Sequence, residues 1–180
     1  MSEASTAAPL CLPLDVCHVL TQTLPRSRTM DAALHCIDGV RRRMLGDGLL
    51  TVNVDASPPA PTEGDIVDLQ RVWTSDVAAY PVGGRKRKTL TPWTRQLLRG
   101  AQVFVGEGDA VLREVFDDHE RIASLGLHAV VNVPLLDASG RCAATFNLLG
   151  VRPTWQPQEL ALVQLLAVLA TPWVLADRGA

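Results

Sequence analysis

The amino-acid sequence predicts an α+β fold built on an antiparallel sheet. Segments with apolar residues at helical spacing and segments that alternate apolar and polar residues both occur, and short turns join the alternating segments. With 180 residues, 47% of them hydrophobic, the chain has the size and the apolar content of one domain with one core. We expect a flexible tail over residues 1–12 and a single domain over 13–180, with its core at about 30–177.

Two helices are predicted near the N-terminus. Residues 14–24 form a short helix that Pro25 ends, because proline lacks a backbone donor. Thr29 then caps a second helix, whose apolar residues recur at three- and four-residue steps as far as Met44. Gly46 closes this helix, since glycine tolerates the left-handed conformation of a helix end.

The remaining elements begin with a change from helical spacing to alternation. Leu50, Val52 and Val54 alternate with polar residues and predict a strand, and a proline-rich loop separates it from a second strand with which it should pair. The elements that follow are the second strand over 66–75, a helix over 91–98, a strand over 103–105, a helix over 109–125, two strands over 127–136 and 141–149 joined by a DASG turn, and a helix over 157–176.

Composition excludes several classes of protein. A net charge of −2 and an isoelectric point near 6.1 lack the basic footprint of nucleic-acid binding. No uninterrupted apolar stretch reaches the roughly 18 residues that a membrane span needs, and no basic segment precedes an apolar one at the N-terminus. We therefore expect a cytoplasmic protein that binds neither nucleic acid nor membrane. The four cysteines lack disulfide and zinc spacing, so we expect no metal and no cofactor.

The two strands around the DASG turn have unlike faces. A register that pairs Leu136 with Arg141 makes one face apolar and gives the other face Asn132, Thr145 and Asn147. Burying an amide without a partner costs about 1 to 3 kcal/mol. The polar face should therefore contact water, a ligand, or a covering loop that its amides hydrogen-bond; the last alternative needs no ligand.

Arg71 and Trp73 stand two residues apart on the second strand, which predicts that they share a face. A tryptophan beside an arginine provides an amphipathic wall for a planar or anionic ligand. The alternative interpretation places Trp73 in the core and Arg71 in solvent.

Two charged runs have open interpretations. The run Arg-Lys-Arg-Lys over 85–88 is predicted to be a solvated loop, and the alternative is a clamp for an anion or a nucleic acid. The run Asp-Asp-His-Glu over 117–120 contains metal-ligand residue types, but neighbouring residues on a helix point in different directions. We expect a helix edge there, with His119 turned towards a pocket.

From about Met30 to Ala176 the chain resembles the GAF domain family. The segments that carry the resemblance are RVWTSDVAAYPVGG over 71–84, TPW over 91–93, AQVFVG over 101–106, DHERIASLG over 118–126, and VVNVPLL with its partner ATFNLLG. The resemblance implies a central antiparallel sheet of five to six strands, with the terminal helices on one face and ligand-enclosing helices and loops on the other.

The resemblance also implies a sensory or regulatory protein without catalytic activity, which binds an unidentified small molecule and signals through a partner. The implied pocket residues, together with Arg71, are Trp73, Tyr80, Lys86, Trp93, Phe104, Phe116, His119, Asn132, Thr145 and Asn147. We expect a homodimer through the N- and C-terminal helices, because the last helix is apolar on nearly all sides. The alternative is that the chain's own N-terminal helix covers it.

Two other functions remain as alternatives. One GAF-related family reduces free methionine sulfoxide with several cysteines in its pocket. Here Cys142 falls on the helix-facing side of the predicted sheet, and Cys11, Cys17 and Cys36 lie in the N-terminal segments, so this enzyme is disfavoured. The other alternative is a dimeric interaction scaffold that binds no ligand.

Overall fold

The structure, a computed structural model, describes residues 9–57, 66–89 and 91–176. Most of the predicted tail and of the proline-rich loop lies outside these residues. The described strands are β1 (Gly48–Asp55), β2 (Val67–Thr74), β3 (Arg85–Lys88), β4 (Phe104–Glu107), β5 (Ala129–Leu136) and β6 (Cys142–Gly150). They form one antiparallel sheet in the order β3-β2-β1-β6-β5-β4, and β1 and β2 pair as predicted. The α+β fold class is confirmed.

Six α-helices are found among the described residues. They are α1 (Leu14–His18), α2 (Met30–Leu45), α3 (Pro92–Thr94), α4 (Gly108–Val115), α5 (His119–Ser124) and α6 (Pro157–Ala176). A π turn at Val19–Thr23 extends α1, and another at Arg95–Arg99 extends α3. The hydroxyl of Thr29 accepts a hydrogen bond from the Ala32 amide and caps α2, which confirms the predicted start.

The basic run over 85–88 is an edge strand, and its prediction as a solvated loop was wrong. The strand β3 pairs with β2, and its side chains alternate between the two sides. Arg85 and Arg87 are exposed, whereas Lys86 is half-buried and Lys88 is buried. Because both sets are cationic, the alternation carries no change of polarity that sequence reading can detect. Charged residues are common on edge strands, where they prevent pairing with another chain.

The helix predicted over 109–125 is two helices, α4 and α5. The helix is interrupted at Phe116, whose φ of −115° and ψ of 124° are extended. Asp117 and Asp118 follow, and aspartate is a weak helix former because its carboxylate competes for backbone groups. The break turns Phe116 and Asp118 towards the sheet.

The predicted register of β5 and β6 was wrong, but the predicted faces are correct. Leu136 pairs with Cys142, and a bulge between Leu135 and Leu136 shifts the rest of the pairing further, so that Asn132 lies opposite Asn147. The total shift from the predicted register is two positions. Side chains alternate with period two, so a shift of two leaves the side chains from the Leu135–Ala144 pair inward on their predicted faces.

The terminal helices pack against one face of the sheet, here called the back face. Its apolar residues, Val131, Val133 and Phe146 among them, form one core with buried residues of α2 and α6. By length and by its mean hydropathy of 1.8, α6 is the one described helix that would qualify as a membrane span, a test that core helices also pass. Six of its residues are buried in this core.

Candidate functional site

A cavity of about 50 Å³ lies on the opposite, front face of the sheet. The segments that cover it are the loop after β2, the helix α3, and the break between α4 and α5. Eight of the eleven residues predicted to bind a ligand line the cavity: Arg71, Tyr80, Lys86, Trp93, Phe116, Asn132, Thr145 and Asn147. The structure thus brings together residues from seven separate segments of the chain.

Three predicted site residues do not line the cavity. Trp73 lies in the back-face core, where its indole Nε1 donates to Asp31 Oδ1 at 3.0 Å. Phe104 is partly buried among the apolar residues of the front face. His119 begins α5, and its Nδ1 lies 3.0 Å from the Phe116 carbonyl oxygen. These three positions correct the set implied by the family resemblance.

A β-bulge separates Arg71 from Trp73. In β1 the neighbouring residues Asn53 and Val52 pair with Arg71 and Trp73. Val72 lies between these two partners and is therefore an extra residue in β2. An extra residue breaks the alternation of faces. Arg71 therefore faces the cavity while Trp73 faces the terminal helices, and the prediction that they share a face was wrong. The alternative prediction was half right, because Trp73 is core but Arg71 is only 7% exposed.

The amides of the front face are hydrogen-bonded within the protein. Trp93 Nε1 donates to Asn132 Oδ1 at 2.9 Å, and Asn132 Nδ2 donates to Asn147 Oδ1 at 2.8 Å. Asn147 Nδ2 in turn lies 3.1 Å from Thr145 Oγ1 and 3.3 Å from the Thr51 carbonyl oxygen. The amides thus tie the covering helix α3 to the sheet. A ligand in this cavity would find its free hydrogen-bonding groups elsewhere.

An ionic cluster closes one end of the cavity. Lys86 Nζ and the Tyr80 hydroxyl both donate to Asp118 Oδ2, at 2.7 Å and 3.0 Å. Burial lowers the pKa of Lys86 and raises that of Tyr80. Burial also acts to raise the pKa of Asp118, but the Lys86 charge and the two hydrogen bonds outweigh it, and this pKa lies below its usual value. Asp118 is therefore a carboxylate at neutral pH.

Arg71 lies next to this cluster. Its guanidinium stacks over the Tyr80 ring, 4.7 Å from the centroid, and its Nη1 donates to the Pro81 carbonyl oxygen at 3.1 Å. Burial lowers its pKa. Two buried polar atoms here have no hydrogen-bond partner among the described residues, namely Arg71 Nε and Asp118 Oδ1. Leaving such a group unpaired costs about 1 to 3 kcal/mol, and more for charged groups.

Sequence reasoning missed two charged residues that line the cavity, Lys88 and Asp118. Lys88 Nζ donates to Asp117 Oδ2 at 2.6 Å and lies 5.8 Å from the centroid of the Trp93 ring. The spacing of two residues places Lys86 and Lys88 on one side of β3 once the structure shows that this run is a strand. No signal in the sequence pairs them with the aspartates, which lie about thirty residues further along the chain.

The model of the GAF domain family matches residues 12–171, so the chain belongs to the GAF domain family. Comparison with curated protein sequences finds no significant match. The described fold, with terminal helices on the back face and a covered cavity on the front, agrees with this assignment. The implied sheet of five to six strands is confirmed at six.

Several solved structures share this fold. The GAF domain of a phosphoenolpyruvate-protein phosphotransferase from Coxiella burnetii has a TM-score of 0.66 at 12% identity, over 92% of this chain and 94% of that one. Residues 122 to 287 of a methyl-accepting chemotaxis protein give a TM-score of 0.61 at 14% identity, over 92% of this chain and 99% of that one. The chromophore-binding domain of a bacteriophytochrome from R. palustris gives 0.62 at 15%, over 93% of this chain but only 62% of that one. Identities this low show a shared fold alone.

Proposed function

We propose that this GAF domain is a sensory or regulatory module that binds a small molecule in the front-face cavity. The observation that carries the proposal is the pair of buried polar atoms, Arg71 Nε and Asp118 Oδ1, that lack protein partners among the described residues beside a cavity. Buried polar groups in proteins are almost always hydrogen-bonded, so two unpaired ones on residues that line one cavity support binding of a molecule there. The structurally similar proteins include part of a chemotaxis protein and the chromophore-binding domain of a bacteriophytochrome, which supports a sensing role.

The sheet offers a route from the cavity to the rest of the molecule. In β5 the side chain of Asn132 lines the cavity, and its neighbours Val131 and Val133 pack on the back face against the terminal helices. A ligand that moves the front side chains would therefore shift the strand beneath α6. We propose that the terminal helices transmit the bound state to a partner protein.

Ligand binding can be tested without knowing the ligand. Small molecules released from the purified native protein are identified by mass spectrometry and then added back in a thermal-shift assay. A ligand of the native state raises stability by RT ln(1 + [L]/Kd). Leu69→Phe narrows the cavity, because Leu69 lines it and is buried, and should abolish the shift. Val105→Phe, at an exposed position of β4, is the matched control and should keep it.

A failure to find any ligand would favour the scaffold alternative. The enzyme alternative, a thiol-dependent reductase, needs reactive cysteines at the cavity. The residues that line the cavity include none of the four cysteines, and burial raises the pKa of Cys142 to about 12. We therefore propose binding rather than catalysis. Turnover of a sulfoxide substrate by the purified protein with added thiol would contradict this.

A further inference from the structure

The charges around the front-face cavity do not balance. Three cations line it, and two of them have carboxylate partners: Lys86 pairs with Asp118 and Lys88 with Asp117. The third cation, Arg71, has no carboxylate within ion-pair distance in the described part of the chain, although it is 93% buried. A buried cation without an anionic partner is costly, so this end of the cavity favours one negative charge from a ligand.

The two unpaired atoms, Arg71 Nε and Asp118 Oδ1, need hydrogen-bonding partners of opposite kinds. Arg71 Nε is a donor and needs an acceptor, whereas Asp118 Oδ1 is an acceptor and needs a donor. Both residues line the same cavity and contact the same Tyr80 side chain, Arg71 over its ring and Asp118 at its hydroxyl. Both atoms have almost no accessible surface in this conformation, so a ligand meets them only when these side chains turn towards the cavity, and it must then carry an acceptor and a donor.

We infer that the cavity binds a small monoanion with a neutral hydrogen-bond donor next to its charged group, a 2-hydroxycarboxylate. This inference rests on the proposed function and names the ligand class. The carboxylate accepts from Arg71 Nε and compensates its charge, and the neighbouring hydroxyl donates to Asp118 Oδ1. Charge-assisted hydrogen bonds of both kinds are stronger than neutral ones.

Other molecules satisfy this end of the cavity less completely. A water molecule can accept from one atom and donate to the other, but it brings no charge to Arg71. A zwitterion with an ammonium group supplies both hydrogen bonds and leaves the net positive charge in place. The volume of about 50 Å³ corresponds to about one or two waters at about 30 Å³ each, which restricts the occupant of this conformation to a few non-hydrogen atoms.

Three probes of nearly equal size separate these requirements. Glycolate has the anion and the donor, acetate has only the anion, and glycolamide has the hydroxyl without the charge. Binding to the 180-residue chain is measured by calorimetry or by ligand-detected NMR at constant ionic strength, because exposed cations attract any anion weakly. We expect glycolate to bind about tenfold or more tighter than acetate and than glycolamide, the effect of one hydrogen bond to a charged group.

Variants assign the preference to the two residues. Asp118→Ala should reduce the ratio of glycolate to acetate affinity to about one, and Arg71→Met should weaken both acids about tenfold or more. Arg85→Met, on the same strand as Lys86 but exposed, removes one positive charge away from the cavity and should change affinity less than about twofold. Even if a variant fails to fold, the comparison of the three probes on the wild-type protein tests whether the cavity prefers a 2-hydroxycarboxylate.

The outcomes separate the ligand class from the proposed function. Equal affinity for glycolate and acetate, or a glycolate preference that Asp118→Ala leaves intact, overturns the 2-hydroxycarboxylate. If none of the probes binds while a neutral molecule copurifies and stabilises the protein, the ligand class is wrong and the sensory module stands. If no probe binds and no molecule copurifies, both proposals fail.

Discussion

Replacing Trp93 by phenylalanine removes the donor that joins the covering helix α3 to the sheet. The Trp93 indole donates to Asn132 Oδ1 at 2.9 Å, and this is the one hydrogen bond to that oxygen among the described residues. Asn132 is 1% exposed, so its oxygen would lose its partner without gaining water. Such a loss costs about 1 to 3 kcal/mol. For a domain of this size, each kcal/mol lowers the melting temperature by about 2 to 4 °C.

Trp155→Phe is the matched control for this prediction. Both variants delete the same atoms, but Trp155 Nε1 has no hydrogen-bond partner in the described part of the chain. Urea unfolding of the two variants should show that Trp93→Phe costs about 1 to 3 kcal/mol more than Trp155→Phe. Equal costs would refute the reasoning, because they would mean that the bond to Asn132 contributes nothing.

A double-mutant cycle isolates the same bond from the loss of apolar contacts. In an Asn132→Val background the indole of Trp93 has already lost its acceptor, so Trp93→Phe should cost less there than in the wild type. The difference between the two costs is the coupling energy of the pair. A coupling energy near zero would show that α3 is held by packing on its apolar neighbours alone.

Three further predictions concern stability, pH and assembly. Gly48→Ala should destabilise the protein, since Gly48 has φ of +151° and a Cβ there would lie 2.5 Å from the Leu149 carbonyl oxygen. Gly39→Ala, in an uncrowded part of α2, should instead stabilise the protein by about 0.5 to 1 kcal/mol. Urea titration of both variants measures the two changes in the free energy of unfolding. The pKa of Asp118 lies below 3.8 in the folded state, so its contribution to the free energy of unfolding is present above pH 3.8 and is lost as the pH falls through the folded-state pKa. Asp118→Asn should make the free energy of unfolding depend less on pH in this acid range. An unchanged pH dependence would contradict the prediction. Val168 is 66% exposed on α6, so Val168→Glu should convert a dimer formed through this helix into a monomer in equilibrium sedimentation.

The two faces of the sheet could be predicted because they depend only on local alternation. Val133 and Phe146 fall on the apolar side, and Asn132 and Asn147 on the polar side, for any register that shifts by an even number of residues. The one-residue offset at Leu136 and the bulge beside it together shift the register by two positions, so the predicted faces are correct although the predicted pairs are wrong.

The charged end of the cavity could not be predicted from the sequence. Asp118 was assigned to a helix edge, and it meets Lys86 only because the helix breaks at Phe116 and the basic run pairs as an edge strand. Arg71 faces the cavity because of one extra residue in β2, at Val72, that nothing in the local pattern indicates. Ion pairs between distant segments depend on these backbone details, and sequence spacing does not encode them.

Local sequence patterns were enough to predict the fold class, the order of most helices and strands, and the side of the sheet that faces the terminal helices, because short-range periodicity sets which side chains can be buried. The hydrogen bonds and charges on the front face follow from the folded structure. There the amides of Asn132 and Asn147 satisfy each other and the Trp93 indole, whereas Arg71 and Asp118 keep one polar atom each without a protein partner among the described residues. Which polar groups are satisfied depends on contacts between segments far apart in the chain, and those contacts exist only once the chain has folded.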